Sequence, residues 1–295
     1  MSAPAISVIL PSHNEGDKLV DTVGCVVRNS RALPFEVVVV DDGSDDGSPE
    51  RVLERAKDAP VRVVRGEGLG VVGARNLGAE HARGQVLVFL DAHCYVRPGW
   101  LGALAATVRQ PGVGLAGPAC ASLAAAGGPF GCGMTFTDQR LSVGWLPPLA
   151  AVPYGVPLIC GCCQALRRDV FRALGGYDPG MTRWGSEDHE ICLRVHGLGL
   201  EVAVVPQSMI FHLFRERHTY RVQGAEVLYN LLRMALVHLS DAGFARVVDA
   251  HRPYPALRTS LDLLAASDAG ARRDRWRAIR RRDDDWLRAR FAWAA

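Results

Sequence analysis

Four short apolar runs punctuate the first third of the chain: ISVILP (6–11), EVVVVDD (36–42), VRVVR (61–65) and VLVFLD (86–91). Each is rich in Val, Ile and Leu without polar alternation, the pattern of strands buried on both faces, as in a parallel sheet. The segments between them are long enough for crossover helices. This βαβ alternation predicts an α/β fold, a mostly parallel sheet with helices on both faces. In such sheets ligands sit beyond the carboxyl ends of the strands. Those ends are polar here: Pro11-Ser12-His13-Asn14-Glu15, then Asp41-Asp42-Gly43-Ser44, then Asp91 and His93. Acidic groups gathered at one sheet edge repel each other unless a cation or hydrogen-bond donors are shared among them.

The remaining strands are fewer. One is expected near 113–119, followed by an irregular Gly-, Pro- and Ala-rich insertion through 158, and another at EVAVVP (201–206), leading to Phe211-His212. Residues 186–197 read as an amphipathic helix capped by Ser186, with Ile191, Leu193 and Val195 on its apolar side and Gly197 and Gly199 ending it. Beyond about 220 the pattern is helical. The 295 residues are 48% hydrophobic, enough for a full core without disulfides. A net charge of +3 gives no general affinity for polyanions, so nucleic acid is not an expected partner. The opening MSAPAISVILPSHNE has no basic and apolar leader, and no apolar run is long enough for a membrane span. The expectation is a cytoplasmic chain with its eight cysteines reduced. Cys160, Cys162 and Cys163 lack the usual zinc spacing and read as small buried residues. Arginine in place of lysine, with abundant Ala, Gly and Val, suggests a GC-rich bacterial genome.

Asp91 and His93 are two apart, so on extended backbone they point the same way. One oxygen and one nitrogen ligand at that spacing can hold a divalent cation, with His212 after a later strand as a third. A mixed set with open positions suits Mn²⁺ better than Mg²⁺. The plain alternative is a hydrogen-bonded pair at a strand end, with His212 a core histidine. A literal G-x-G-x-x-G at Gly68-Leu69-Gly70-Val71-Val72-Gly73 also follows an expected strand, with Asp91 where a ribose-binding acid would lie. That leaves an NAD-dependent oxidoreductase as a rival.

The motifs ISVILPSHNEGDKL, VVVVDDGSDDGS, GARNLGAEHARGQVLVFLDAHCYVRPGWL, GGYDPGMTRWGSEDHEICLRV and FHLFRERHTY occur in this order over residues 5–220. Together they resemble the family 2 glycosyltransferases of the GT-A fold, with the Asp-x-His form similar to polypeptide N-acetylgalactosaminyltransferases. The resemblance implies a sugar transferase using a nucleotide-sugar, a UDP-sugar in preference to a GDP-sugar. Residues 1–110 would be the nucleotide-sugar half, 111–220 the acceptor and catalytic half of the same domain, and 221–295 a helical extension. By resemblance Glu15 and Asp42 would contact uridine and ribose, and Arg75 would lie near nucleotide and sugar. Asp91, His93 and His212 would hold Mn²⁺ against the diphosphate. Arg215, His218 and Tyr220 would belong to a loop closing over the donor. Read alone, Asp42 can serve a turn, Glu15 a helix N-terminus, and Arg75 a solvated helix face.

WGSEDHE (184–190) bears on stereochemistry. The retaining enzymes just named usually carry Glu-Asn there; this chain has Glu187-Asp188, like inverting members. Asp188 is the expected general base, with Glu187 binding or positioning an acceptor hydroxyl. Otherwise both acids simply favour a helix N-terminus. Trp184 is a wall of the sugar pocket or a core aromatic. A retaining transferase and a non-catalytic nucleotide-sugar-binding protein stay open as alternatives. The acceptor is open too: natural product, peptide, glycan or lipid-linked sugar. Residues 271–295 hold nine arginines and four aspartates, with Trp276, Ile279, Trp286 and Leu287 near one helical face. Such a helix packs on its own domain or a partner subunit, as in a homo-oligomer, or lies on an anionic membrane.

Overall fold

The computed structural model describes residues 4–125, 127–215 and 219–293. In chain order its elements are β1 (Ile6–Ser12), α1 (Asp17–Ser30), β2 (Phe35–Asp42), α2 (Ser48–Arg55), β3 (Val61–Gly66), α3 (Gly70–His81), β4 (Val86–Leu90), β5 (Cys94–Val96), α4 (Trp100–Val108) and β6 (Val113–Ser122). There follow β7 (Phe130–Gly131), β8 (Met134–Phe136), β9 (Val143–Trp145), β10 (Tyr154–Gly155), β11 (Cys163–Arg167), α5 (Arg168–Leu174), α6 (Glu187–Gly197) and β12 (Glu201–His212). The helices α7 (Gly224–His238), α8 (Asp241–Ala250), α9 (Leu257–Ala265), α10 (Ala269–Ile279) and α11 (Asp284–Phe291) complete it.

The main sheet runs β10-β12-β6-β11-β4-β1-β2-β3, with β5 beside β12 and β7 beside β6. β1 is parallel to both β2 and β4, whereas β11 is antiparallel to β4 and β6. Consecutive residues of the central strands serve opposite cores because side chains alternate across a strand. Ile9, Val38, Val40, Leu87 and Phe89 join the core under α3, α5 and α6. Val8, Leu10, Val37, Val39, Val86 and Val88 join the core under α1 and α4. This is why the runs show no polar alternation.

The expected α/β architecture is present, with local corrections. β3 is the sheet edge and only half-buried, because it has a single strand neighbour. The insertion after β6 is more ordered than its composition implies: β8 and β9 form a hairpin and β10 adds to β12. Ser186 does not cap α6. Its backbone is left-handed (φ 66°) and its side chain makes no capping bond. The residues after 270 do not form one amphipathic helix. They split into α10 and α11, with Trp276 and Leu287 buried and Ile279 59% exposed. The tryptophans therefore pack on the protein itself. Among the described residues no helix is long and apolar enough to cross a membrane.

Candidate active site

A cavity of about 460 Å³ opens at the carboxyl ends of β1, β2 and β4, where the apolar runs end. Three chain segments meet there. Asp91 follows β4 directly, and its N–H donates to Cys162 O (3.0 Å). β12 runs antiparallel to β5 with His212 opposite Cys94, and the Leu213 N–H donates to His93 O (3.2 Å). That pairing brings His212 beside His93, with ring centroids 4.8 Å apart. One ligand atom from each of Asp91, His93 and His212 lies within 4.8 Å of the others. His212 Nε2 is 3.4 Å from Asp91 Oδ2. His93 Nδ1 and His212 Nδ1 are buried without a hydrogen bond among the described residues; His93 Nδ1 is 3.3 Å from Glu15 Oε2 but out of alignment. One oxygen and two imidazoles, with unsatisfied nitrogens, fit a divalent cation whose other positions stay open.

Arg75, on α3, is buried rather than solvated, and it binds three groups at once. It donates to Glu187 Oε1 (3.0 Å), Asp91 Oδ1 (3.2 Å) and Gly161 O (2.8 Å). Burial pushes the Asp91 carboxyl up, but the His212 hydrogen bond and the Arg75 charge outweigh it and hold the carboxyl well below its usual range. For Arg75, burial opposes the charge, and Glu187 and Asp91 more than reverse that, so the guanidinium stays charged. Glu187 is the converse case. Burial and then the Asp188 charge push its carboxyl up, against Arg75. Its Oε2 accepts the Gly185 N–H (2.9 Å), so both oxygens are engaged inside the protein.

Asp188 lines the cavity at the first turn of α6. Its Oδ2 accepts the Gly161 N–H (2.8 Å) and its Oδ1 the His189 N–H (2.9 Å). Gly161 has to be glycine for this contact, since a Cβ there would lie 2.9 Å from Asp188 Cβ. Glu15 is buried and paired with Arg215. Burial raises its carboxyl, but the nearby His93 and Arg215 win and lower it. Tyr220 lines the cavity and meets the His13 ring edge-on. Burial and then the Glu187 and Asp91 charges push its hydroxyl well up, so it remains a donor. Trp184 is 39% exposed on the cavity wall, not a core aromatic. His218 lies outside the described residues.

Asp42 also lines the cavity, and its carboxylate binds the start of α3. Oδ1 accepts the Leu69 N–H (2.7 Å) and Oδ2 the Gly70 N–H (2.9 Å), at the start of α3. The glycine motif therefore offers its helix-start donors to Asp42 and not to a pyrophosphate, which removes the physical basis of the dinucleotide reading. Gly70 itself is left-handed (φ 67°), and a Cβ there would strike the Arg183 backbone at 2.8 Å. Residues that the sequence reading missed include His13, whose Nδ1 donates to Asp42 O (2.8 Å), and His189, whose Nε2 is 3.5 Å from Asp188 Oδ2. For His189 the available signal was its place directly after the Glu-Asp pair.

Comparison with known proteins bears on the family and the fold. The family model described as glycosyl transferase family 2 matches residues 7–175, and one described as the N-terminal domain of galactosyltransferase matches 148–219. Polypeptide N-acetylgalactosaminyltransferase 3 of Drosophila melanogaster is 33% identical over 263 residues, covering 81% of this chain and 39% of its own length. Polypeptide N-acetylgalactosaminyltransferase 10 of Homo sapiens is 29% identical over 308 residues, covering 98% and 50%. The chain thus spans about half the length, or less, of the curated relatives it matches. Among solved structures, GalNAc-T7 with UDP, GalNAc and Mn²⁺ superposes with a TM-score of 0.71 at 25% identity, covering 86% of this chain and 52% of that one. S. aureus TarS 1–349 in complex with UDP-GlcNAc shares the fold at a TM-score of 0.61 and 16% identity, covering 98% and 92%. With the family model matched over more than half its length and the GT-A fold around its cavity, the chain belongs to glycosyl transferase family 2.

Proposed function

We propose that the protein transfers a sugar from a UDP-sugar to a nucleophile of an acceptor, with Mn²⁺ held by Asp91, His93 and His212. The observation that carries this is the convergence of those three side chains at one end of the cavity, with Asp188 lining it as well. The cation supplies charge stabilisation to the departing nucleoside diphosphate. Arg75 is fixed by its three partners and holds the Asp91 and Glu187 carboxylates in place. Asp188 takes the acceptor's proton in an inverting displacement, and general-base help of this kind is worth about 10²–10⁴ in rate. Glu15 keeps Arg215 over the donor, and Trp184 and Tyr220 close the sugar side. UDP-N-acetylgalactosamine is the first donor to test, because the relatives are N-acetylgalactosaminyltransferases.

A retaining course is the second reading, and one observation favours it. Both Asp188 oxygens already accept backbone N–H groups, a use an asparagine side chain could partly replace. The experiment pairs the anomeric configuration of the wild-type product, read by NMR, with the turnover and Mn²⁺–UDP binding of Asp188→Asn. An inverted product, together with unchanged Mn²⁺–UDP binding and lost turnover in the variant, supports the base. A retained product with turnover preserved overturns it.

A further inference from the structure

Helix α6 presents Asp188 in its first turn, and the C-terminal helices grip it from Glu190 to His196. Glu190 accepts from His238 of α7 (3.0 Å), and the His196 ring packs on Trp286 and Phe291 at centroid distances of 5.8 and 5.3 Å. One contact from the same region reaches the front of α6. The Trp293 ring stacks on Phe136 of β8, with centroids 4.8 Å apart and planes 24° from parallel. Phe136 in turn meets the His189 ring edge-on at 5.8 Å. His189 touches Asp188 twice, through its N–H on Oδ1 (2.9 Å) and its Nε2 3.5 Å from Oδ2. Trp293 and Phe136 are both buried, whereas His189 and Asp188 line the cavity.

We propose that Trp293 is a positioning residue for Asp188, acting through Phe136 and His189. The inference rests on the reading of Asp188 as the base. Removing the indole leaves a space beside Phe136, and side chains next to such a space shift only partly to fill it. As Phe136 moves toward that space, its edge-on contact with the His189 ring loosens, and Asp188 loses a stable neighbour on its cavity side. The Trp293 Nε1–H is buried without an acceptor among the described residues, so the stack and not the N–H does the holding. A phenylalanine keeps that stack.

The test uses the full chain with Trp293→Ala, Trp293→Phe, Asp188→Asn and the double variant Trp293→Ala/Asp188→Asn. The readouts are Mn²⁺-dependent UDP affinity by calorimetry, hydrolysis of UDP-N-acetylgalactosamine, and the His189 ring signals by ¹⁵N NMR without metal. Trp293→Ala should move the His189 signals and cut hydrolysis on the order of tenfold, since small misplacements of reacting groups cost at least that much. UDP affinity should hold within roughly twofold, Trp293→Phe should behave as wild type, and the double variant should be no slower than Asp188→Asn. Unmoved His189 signals, an equal loss of UDP affinity, or a full tenfold effect persisting in the Asp188→Asn background would overturn the proposal. Failure of the base reading shows separately, as Asp188→Asn hydrolysing like wild type. A wild-type chain inert toward this donor leaves the NMR arm to decide the positioning claim.

Discussion

Arg75 donates to two carboxylates and one carbonyl from a position that is 2% exposed. Arg75→Met would leave buried Glu187 and half-buried Asp91 without their counter-charge. Breaking such a pair from one side costs about 3–5 kcal/mol, and urea unfolding should show it as a lowered midpoint. Lysine would not rescue it, since a single ammonium lacks the forked geometry that reaches three acceptors. Asp91→Ala acts differently: it removes a metal ligand, and the UDP affinity gained on adding Mn²⁺ should fall at least about tenfold by calorimetry. The sequence made Asp91, His93 and His212 legible because each sits at or just past a strand end. What the Asp42 carboxylate holds within the protein was not legible, for an equally physical reason. It binds N–H groups 27 and 28 residues away, and no local pattern announces such a partner.

Among the elements, the loop from Cys160 to Cys162 links the two halves of the site. Gly161 receives Arg75 on its carbonyl and gives its N–H to Asp188. Gly161→Ala would push Asp188 aside, because the new Cβ would sit 2.9 Å from Asp188 Cβ. Turnover should fall sharply while stability drops by only about 1–3 kcal/mol, a split that kinetics and thermal unfolding together would reveal. The central strands were readable because burial on both faces removes polar residues from the run. β11 was not expected at all, since CQALR is short and carries Gln164 mid-run, and nothing in it marks an antiparallel neighbour. The break in the tail was not legible, because Arg280–Asp283, where the chain turns between α10 and α11, carries no apolar position to mark it.

At the scale of the whole molecule, stability should depend on pH through buried groups behind the site. Burial lowers His196 to about 4, against backbone hydrogen bonds that raise it. Its Nε2–H donates to Val156 O and Pro157 O, and Nδ1 is buried without a partner among the described residues. A folded-state value below the unfolded one means the neutral ring is favoured on folding. That stability is fully present above about pH 6.5 and is lost as pH falls toward the folded value, by roughly 3 kcal/mol if the whole shift is expressed. Burial lowers His238 as well, despite the Glu190 hydrogen bond that raises it. Glu190 follows at lower pH. Burial raises it, but Arg194 and His238 bring it down to about 2, so its share is lost below about pH 4.5. His196→Gln should flatten the unfolding free energy between about pH 6.5 and 4 in denaturant melts.

The most direct measurement is anomalous diffraction from a crystal soaked with Mn²⁺ and UDP. The account predicts one manganese peak bounded by Asp91, His93 and His212 and touching both phosphates of UDP. A peak elsewhere, or UDP seated in the cavity with those three side chains turned away from the ion, would contradict it.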